Sequence, residues 1–292
     1  LVAGGVGIAA FHPEAAAVAA SCAPENRSRA LSIFAIGGYL GQALGPLYAG
    51  KLTAVYGRPS LVWTLVWGWA ALAFVAWGLK RAPAPPMKSR ENVPPLGELL
   101  DGKKKSLAWL AALGVLRVTP GLGVPLALAF AIKDAGGTNA EVGFAQSLFL
   151  AAIGAGSVAC AAFVRRHNER TAFWMLPMLA ALLLAACPLA PAAFSSLCAA
   201  AAGFALGVTF PLLVSCGQQL LPRGQRIASG LTMGLTWGLA SPLAIGTIDL
   251  FERWRQPAAS FYVFAGLAAT SSLMCFALAP AAMEPAAAQS AA

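Results

Sequence analysis

The sequence predicts an all-α polytopic membrane protein, and its composition and the length of its apolar runs support this. The chain has 292 residues, of which 59% are hydrophobic and 11% are charged, whereas a soluble domain carries about 25% charged residues. A water-soluble core could not bury that much apolar surface. The apolar residues occur in runs close to the ~20 residues that a helix needs to cross a bilayer. Open strands could not satisfy their backbone groups in lipid, so these runs are expected to be helices.

Nine apolar runs are candidate membrane spans. They lie at approximately 1–21, 30–52, 60–79, 107–132, 142–163, 171–189, 192–217, 228–248 and 258–280. The only long polar connection is 80–105, where proline and charge disfavour packing as a membrane helix. It separates three spans from six.

The basic residues predict the orientation of these spans. Fourteen Lys and Arg residues lie in one alternate set of connections and five in the other. Because cytoplasmic loops are enriched in Lys and Arg, the set of fourteen is expected to be cytoplasmic, together with the C-terminal tail. This distribution also accounts for the net charge of +9, so the charge does not indicate nucleic-acid binding.

A glycine pattern marks the second span. Gly37, Gly41 and Gly45 are four residues apart and are followed by Pro46 and Gly50. Glycines at this spacing lie on one helix face and let another helix approach closely, and proline kinks a helix because it removes a backbone donor. We expect Gly41 and Gly45 to pack tightly against another helix.

This GxxxGxxxGP string, with FHPE before it and SIFxxGG, resembles the fifth helix of drug exporters of the major facilitator superfamily. In particular, the stretch resembles the fosmidomycin-resistance type of exporter. The stretch GFALGVTFPLLVSCGQQLLPRGQRIASGLTMGLTWGLA, which begins at Gly203, is similar to the tenth and eleventh helices of that family. One departure is that GSVACAAFVRRHNER, after the expected eighth helix, lacks the aspartate of the usual loop motif there.

The resemblance implies a fold of two six-helix halves joined by a long cytoplasmic loop. If 80–105 is that loop, nine of twelve transmembrane helices are present and three precede the sequence. Residues 1–79 would then be the remainder of the N-terminal half, with helices equivalent to four to six. Residues 106–280 would be the C-terminal half, and 281–292 a cytoplasmic tail.

An internal repeat is consistent with two halves. Four residues recur at separations of 198, 198, 196 and 196: Pro13, Pro24, Pro46 and Gly50 match Pro211, Pro222, Pro242 and Gly246. Parallel repeats of this kind relate the two halves of superfamily carriers.

Ionisable residues within spans are functional candidates, because each is costly in lipid. Glu14 is the only carboxylate within a predicted span and His12 the only histidine. A carboxyl group away from water favours its neutral form, so Glu14 could bind and release a coupled proton. His12 is the second candidate. The alternatives are a carboxyl that hydrogen-bonds a neighbouring helix and a neutral imidazole bonded to a backbone carbonyl.

Two further residues are candidates for binding substrate. Arg117 is the only basic residue within a predicted span, and its planar guanidinium suits phosphonate or carboxylate groups. Its alternative role is an ion pair with a carboxylate of another helix. Trp237 also lies mid-span and could line a cavity or pack in the core.

The function implied by the resemblance is proton-coupled efflux of a small molecule or drug by alternating access. Such a protein would be a monomeric antiporter of the bacterial inner membrane that confers antibiotic resistance. The alternatives are an uptake carrier for an organic anion and a membrane fragment that transports nothing. The sequence has no GxSxG, P-loop, HExxH or CxxC motif, so neither an enzyme nor a cofactor or metal is predicted.

Overall fold

The computed structural model describes residues 11, 15, 27–81, 95–165, 167–221 and 223–277. All regular elements in these residues are helical, which confirms the all-α prediction. We number the α-helices in chain order as α1 Arg27–Tyr56, α2 Thr64–Leu79, α3 Leu96–Leu100, α4 Lys104–Asp134, α5 Asn139–Phe163, α6 Glu169–Ala186, α7 Ala192–Leu220, α8 Gln225–Ser229, α9 Thr236–Arg253 and α10 Ser260–Met274. The π-helical turn Gly230–Leu235 joins α8 to α9, and the 3-10 turn Cys275–Ala277 extends α10.

Within these ranges, seven helical stretches have the length and apolar composition to cross a membrane. They are Arg58–Gly78, Lys104–Asp134, Asn139–Phe163, Glu169–Leu189, Phe194–Leu220, Ile227–Arg253 and Pro257–Ala277. These match seven of the nine predicted spans. Helix α1, with 30 residues, is also long enough and contains the predicted span 30–52, since each residue adds ~1.5 Å. The predicted span 1–21 lies outside the described residues, except for residues 11 and 15.

Helices α4 to α10 pack into one bundle around buried aromatic and aliphatic side chains. Phe149, Phe261 and Phe264 are at most 1% exposed and belong to a cluster that joins α4, α5, α6, α7 and α10. A second cluster, which includes Phe173 and Leu213, lies nearer the start of α4. The bundle therefore falls within the predicted C-terminal half.

Helices α5 and α7 approach one another through small residues. A Cβ atom built on Gly207 would overlap the carbonyl oxygen of Ile153, and one built on Gly156 would overlap that of Phe204. The hydroxyl of Ser157 donates a hydrogen bond of 2.9 Å to the Gly207 carbonyl. Because the backbones are in direct contact, neither glycine can carry a side chain unless the helices separate.

Helix α2 differs from the bundle helices. None of its apolar stretch is buried among the residues that the structure describes, and Trp63, Trp67, Trp69 and Trp77 are all more than half exposed. Its contact with α1 includes an edge-to-face pair of Trp67 with Tyr48, whose ring centroids are 6.4 Å apart.

Candidate functional site

Helix α1 packs on α5 and so joins the segment before residue 80 to the later bundle. At one end of this contact, a Cβ atom on Gly50 would lie 2.5 Å from the Asn139 carbonyl oxygen and 2.9 Å from Cα of Gly143. A Cβ atom on Gly143 would in turn overlap the carbonyl oxygen of Pro46. The two backbones meet there without side chains between them.

The glycine pattern of α1 contributes to this contact through its last residues. Apart from the adjoining turns of α1 itself, no heavy atom of the described part of the chain lies within 4 Å of a Cβ atom built on Gly37, Gly41 or Gly45. Successive helical residues are rotated by about 100°, so Pro46 and Gly50 share a face that is turned away from Gly45. Tight packing is therefore found at Pro46 and Gly50, while for Gly41 and Gly45 it stays a prediction.

The contact between α1 and α5 continues towards the middle of both helices. There, a Cβ atom built on Gly154 would lie 2.8 Å from Cβ of Tyr39. From Tyr39 to Gly50 the two helices run side by side for about 16 Å, at the rise of an α-helix.

Trp237 lies beside Phe210 on the side of the bundle where α4, α7 and α9 meet. The two rings form an edge-to-face pair with centroids 6.2 Å apart and an interplanar angle of 64°. Gly121 of α4 leaves room for Phe210, since a Cβ atom there would lie 3.1 Å from Cζ of that ring. Trp237 is 38% exposed, so it lies at the edge of the core, and its role in lining a cavity stays a prediction.

Arg117 lies inside the bundle and is fully buried. Its Nη2 atom donates hydrogen bonds to the Ser271 carbonyl at 3.3 Å and to Sγ of Cys275 at 3.1 Å. Its guanidinium carbon lies 4.1 Å from the ring centroid of Phe173. Nε and Nη1 have no hydrogen-bond partner among the described residues.

The end of α10 explains how the bundle accommodates this charge. Ser271 and Cys275 lie in the last turns of that helix, where carbonyl groups lack intrahelical partners and the helix dipole is negative. The ring of Phe173 adds a favourable cation–π contact. Arg117 therefore ties α4 to α6 and α10, which favours its structural role, with a helix end in place of the expected carboxylate. Binding of an anionic substrate by Arg117 stays a prediction.

If Arg117 has only the structural role, Arg117→Met should transport anionic and uncharged compounds within about twofold of the wild type, because a side chain of similar length fills the same space without a buried charge. Arg117→Ala should lower stability by about 2 kcal/mol or more, because it leaves a cavity. Thermal unfolding and transport of one anionic and one uncharged compound test both variants. A loss confined to the anionic compound in Arg117→Met would instead assign Arg117 to the substrate.

The two predicted proton-binding residues, Glu14 and His12, lie outside the described residues. The carboxylates that the structure does describe all lie near helix ends or in the segment before α4; they are Glu98, Asp101, Asp134, Glu141, Glu169, Asp249 and Glu252. Glu141 completes a capping box with Thr138, and Asp249 pairs with Arg253 at 2.7 Å. Within the described ranges, no carboxylate lies at the middle of a helix long enough to cross the membrane.

Sequence comparisons give two matches. The profile of the Major Facilitator Superfamily matches residues 1–245. The fosmidomycin resistance protein of Escherichia coli (strain K12) is 36% identical over 72 residues, which are 25% of this chain and 18% of that relative. The chain thus matches less than a fifth of the relative's length. No solved structure matches the chain.

Proposed function

Because the chain belongs to the Major Facilitator Superfamily, we propose that it exports a small molecule across the bacterial inner membrane in exchange for protons. The halves would rock about a central site, so that the site opens to one side of the membrane at a time. The proposal includes the division at 80–105 and the cytoplasmic location of the C-terminal tail.

The observation that best supports alternating access is the contact between α1 and α5. Gly50 and Gly143 meet backbone to backbone at one end of this contact. Such a surface can separate and close again without rearranging interlocked side chains. A carrier needs a contact of this kind, because the same two helices must meet in one state and part in the other.

Export is favoured over uptake by two observations. The GxxxGxxxGP string resembles that of drug exporters, and the matched relative carries the name of a drug-resistance protein. The proton step is assigned to Glu14, with His12 as the second candidate. A carboxyl group in mid-span can take up a proton when it is dry and release it when water enters.

Everted membrane vesicles from cells that express the protein test this proposal. With an acidic lumen, they should accumulate fosmidomycin or an uncharged naphthylamine dye, and a protonophore should abolish the accumulation. Protease added outside should also remove a tag placed after Ala292, since the cytoplasmic side faces outwards. Accumulation in right-side-out vesicles would indicate uptake, and a protected tag would reverse the orientation.

A further inference from the structure

The last part of the predicted connection 80–105 lies on the bundle. Helix α3 places Leu99 against the turn between α7 and α8, and this side chain is 7% exposed. A Cβ atom built on Gly224 would lie 3.4 Å and 3.6 Å from the two methyl carbons of Leu99, and 3.7 Å from Cβ of Leu221. Leu99 therefore lies directly over Gly224, with space for no more than a methyl group between them.

The surface beneath α3 belongs to three helices. Leu107 of α4, Leu221 at the end of α7 and Ala228 of α8 form a buried cluster, and Leu100 packs against it. The amide of Gly224 donates a hydrogen bond of 2.9 Å to the carbonyl of Leu221, which closes the turn between α7 and α8. Helix α3 thus covers the point at which α4, α7 and α8 meet.

A left-handed glycine directs α3 onto this surface. Gly102, which lies between α3 and α4, has a φ of 67°, a conformation that residues other than glycine rarely adopt. Across this turn, the amide of Lys103 donates a hydrogen bond of 3.1 Å to the carbonyl of Leu100. The chain therefore changes direction immediately before α4 begins.

The attachment of α3 depends mainly on one residue. Among the side chains of α3 that the structure describes, only Leu99 is buried, whereas Leu100 is half-buried and Glu98 is exposed. A helix of five residues is not stable alone in water, so α3 needs this contact to stay helical. Burial of one leucine favours the docked form by roughly tenfold to a hundredfold. Helix α3 should then be docked in most molecules and detached in about 1–10% of them.

We infer that α3 is a detachable strap, which fastens the connection 80–105 to the turn between α7 and α8 and releases it again. Docking moves the anchor of this connection from Lys104 to Leu99. Release therefore adds about 20 Å of extended chain to the path between α2 and α4. Under the proposed alternating access, the docked strap limits how far the linked ends of the two halves part. This effect on transport rests on the proposed function, whereas the docking itself does not.

Hydrogen–deuterium exchange of the purified protein tests the docking. In the wild type, the amides of Leu99 and Lys103 should exchange about 10 to 100 times more slowly than in an unstructured peptide of the same sequence. Leu99→Ser should lose this protection, because serine does not fill the contact. Exchange as slow as that in the middle of α4 would show a permanently fixed segment and overturn the inference. Unprotected exchange in the wild type would overturn it too.

Gly224→Leu and Gly224→Ala are a matched pair for the same measurement. Leucine would take the place of the Leu99 methyl groups, so exchange in α3 should rise about tenfold. Alanine should leave exchange within about threefold of the wild type, because its methyl group would lie at ordinary contact distances from Leu99. Equal exchange in the two variants would show that α3 does not dock on Gly224.

Gly102→Ala tests the turn that directs the strap. Alanine disfavours a positive φ, so this variant should also exchange faster in α3. Gly97→Ala is the control, because Gly97 is an exposed residue of the same helix and the change should not speed exchange. Faster exchange in Gly97→Ala than in Gly102→Ala would contradict the role of the turn.

A reversible cross-link tests the effect on transport. Leu99→Cys and Gly224→Cys, combined in one protein and joined by a short bifunctional methanethiosulfonate, should slow accumulation in vesicles at least fivefold. A reductant should restore the rate, and neither single variant should respond to the reagent. Unchanged accumulation after cross-linking would show that the cycle does not need release of the strap. Absence of accumulation in the wild type would reject the export function, and the exchange results would still decide the docking.

Discussion

Gly143→Leu is expected to abolish transport. A Cβ atom at this position would overlap the carbonyl oxygen of Pro46 and lie 3.0 Å from Cα of Gly50. Backbone atoms cannot turn aside as a flexible side chain can, so α1 and α5 would have to separate along their contact. Overpacking within a core usually costs about 1–3 kcal/mol. Under the proposed alternating access, the strain would fall on the state in which α1 and α5 meet, so the transport cycle should stall even if the protein folds.

Two further glycine-to-leucine variants show whether a loss of transport in Gly143→Leu is specific to the contact between α1 and α5. Gly266→Leu makes the same change in α10, where no described atom outside the adjoining turns of α10 lies within 4 Å of a built Cβ atom, and transport should be retained. Gly45→Leu tests the glycine face of α1 itself. Loss of transport there would support the prediction that another helix covers this face. Normal transport by Gly143→Leu, measured in vesicles, would show that the contact does not take part in the cycle.

Glu14→Gln is expected to lose transport driven by the proton gradient while it retains substrate binding. The glutamine side chain keeps the size and hydrogen bonding of glutamate but cannot release a proton. The described part of the chain provides no carboxylate at the middle of a spanning helix that could replace it. We expect at least a tenfold decrease in gradient-driven accumulation, with the Kd for phenylnaphthylamine unchanged.

Glu141→Gln is the control, because it makes the same substitution in a carboxylate that caps α5. It should leave the coupling intact. Transport by Glu14→Gln that still responds to the pH gradient would assign the coupled proton to His12, and His12→Gln should then abolish the response. Loss of dye binding in Glu14→Gln would instead place this residue at the substrate.

The helices were predictable because the bilayer demands long apolar runs. The span expected at 107–132 is found as Lys104–Asp134, and the apolar stretch expected at 142–163 lies within Asn139–Phe163. Polar caps extend these helices beyond their apolar runs. For example, Thr138 and Glu141 form the capping box of α5, and this helix begins at Asn139, three residues before the predicted boundary.

The site was less predictable, because it depends on which faces of different helices meet. The glycine spacing identified α1 as a packing helix, but the rotation between Gly45 and Gly50 decides which face touches α5. Gly143 and Phe210 have no sequence signal of their own, since their roles depend on neighbours from other helices.

Arg117 illustrates the same limit. Its sequence position near mid-span suggested that its charge lies near the centre of the membrane. The side chain is long, however, so the guanidinium lies away from the Cα atom, against the end of α10. The sequence does not specify that the end of α10 lies within reach.

Helix α5 is held on two sides by contacts of different strength. Its glycine contacts with α7 are reinforced by the hydrogen bond between Ser157 and Gly207, whereas Gly143 meets α1 through backbone surfaces alone. If two halves move against each other as proposed, α5 should travel with α7 as one rigid body and slide or tilt against α1. The relative movement would then occur between one pair of helices, α1 and α5. Cross-links that join α5 to α7 should therefore leave the carrier active.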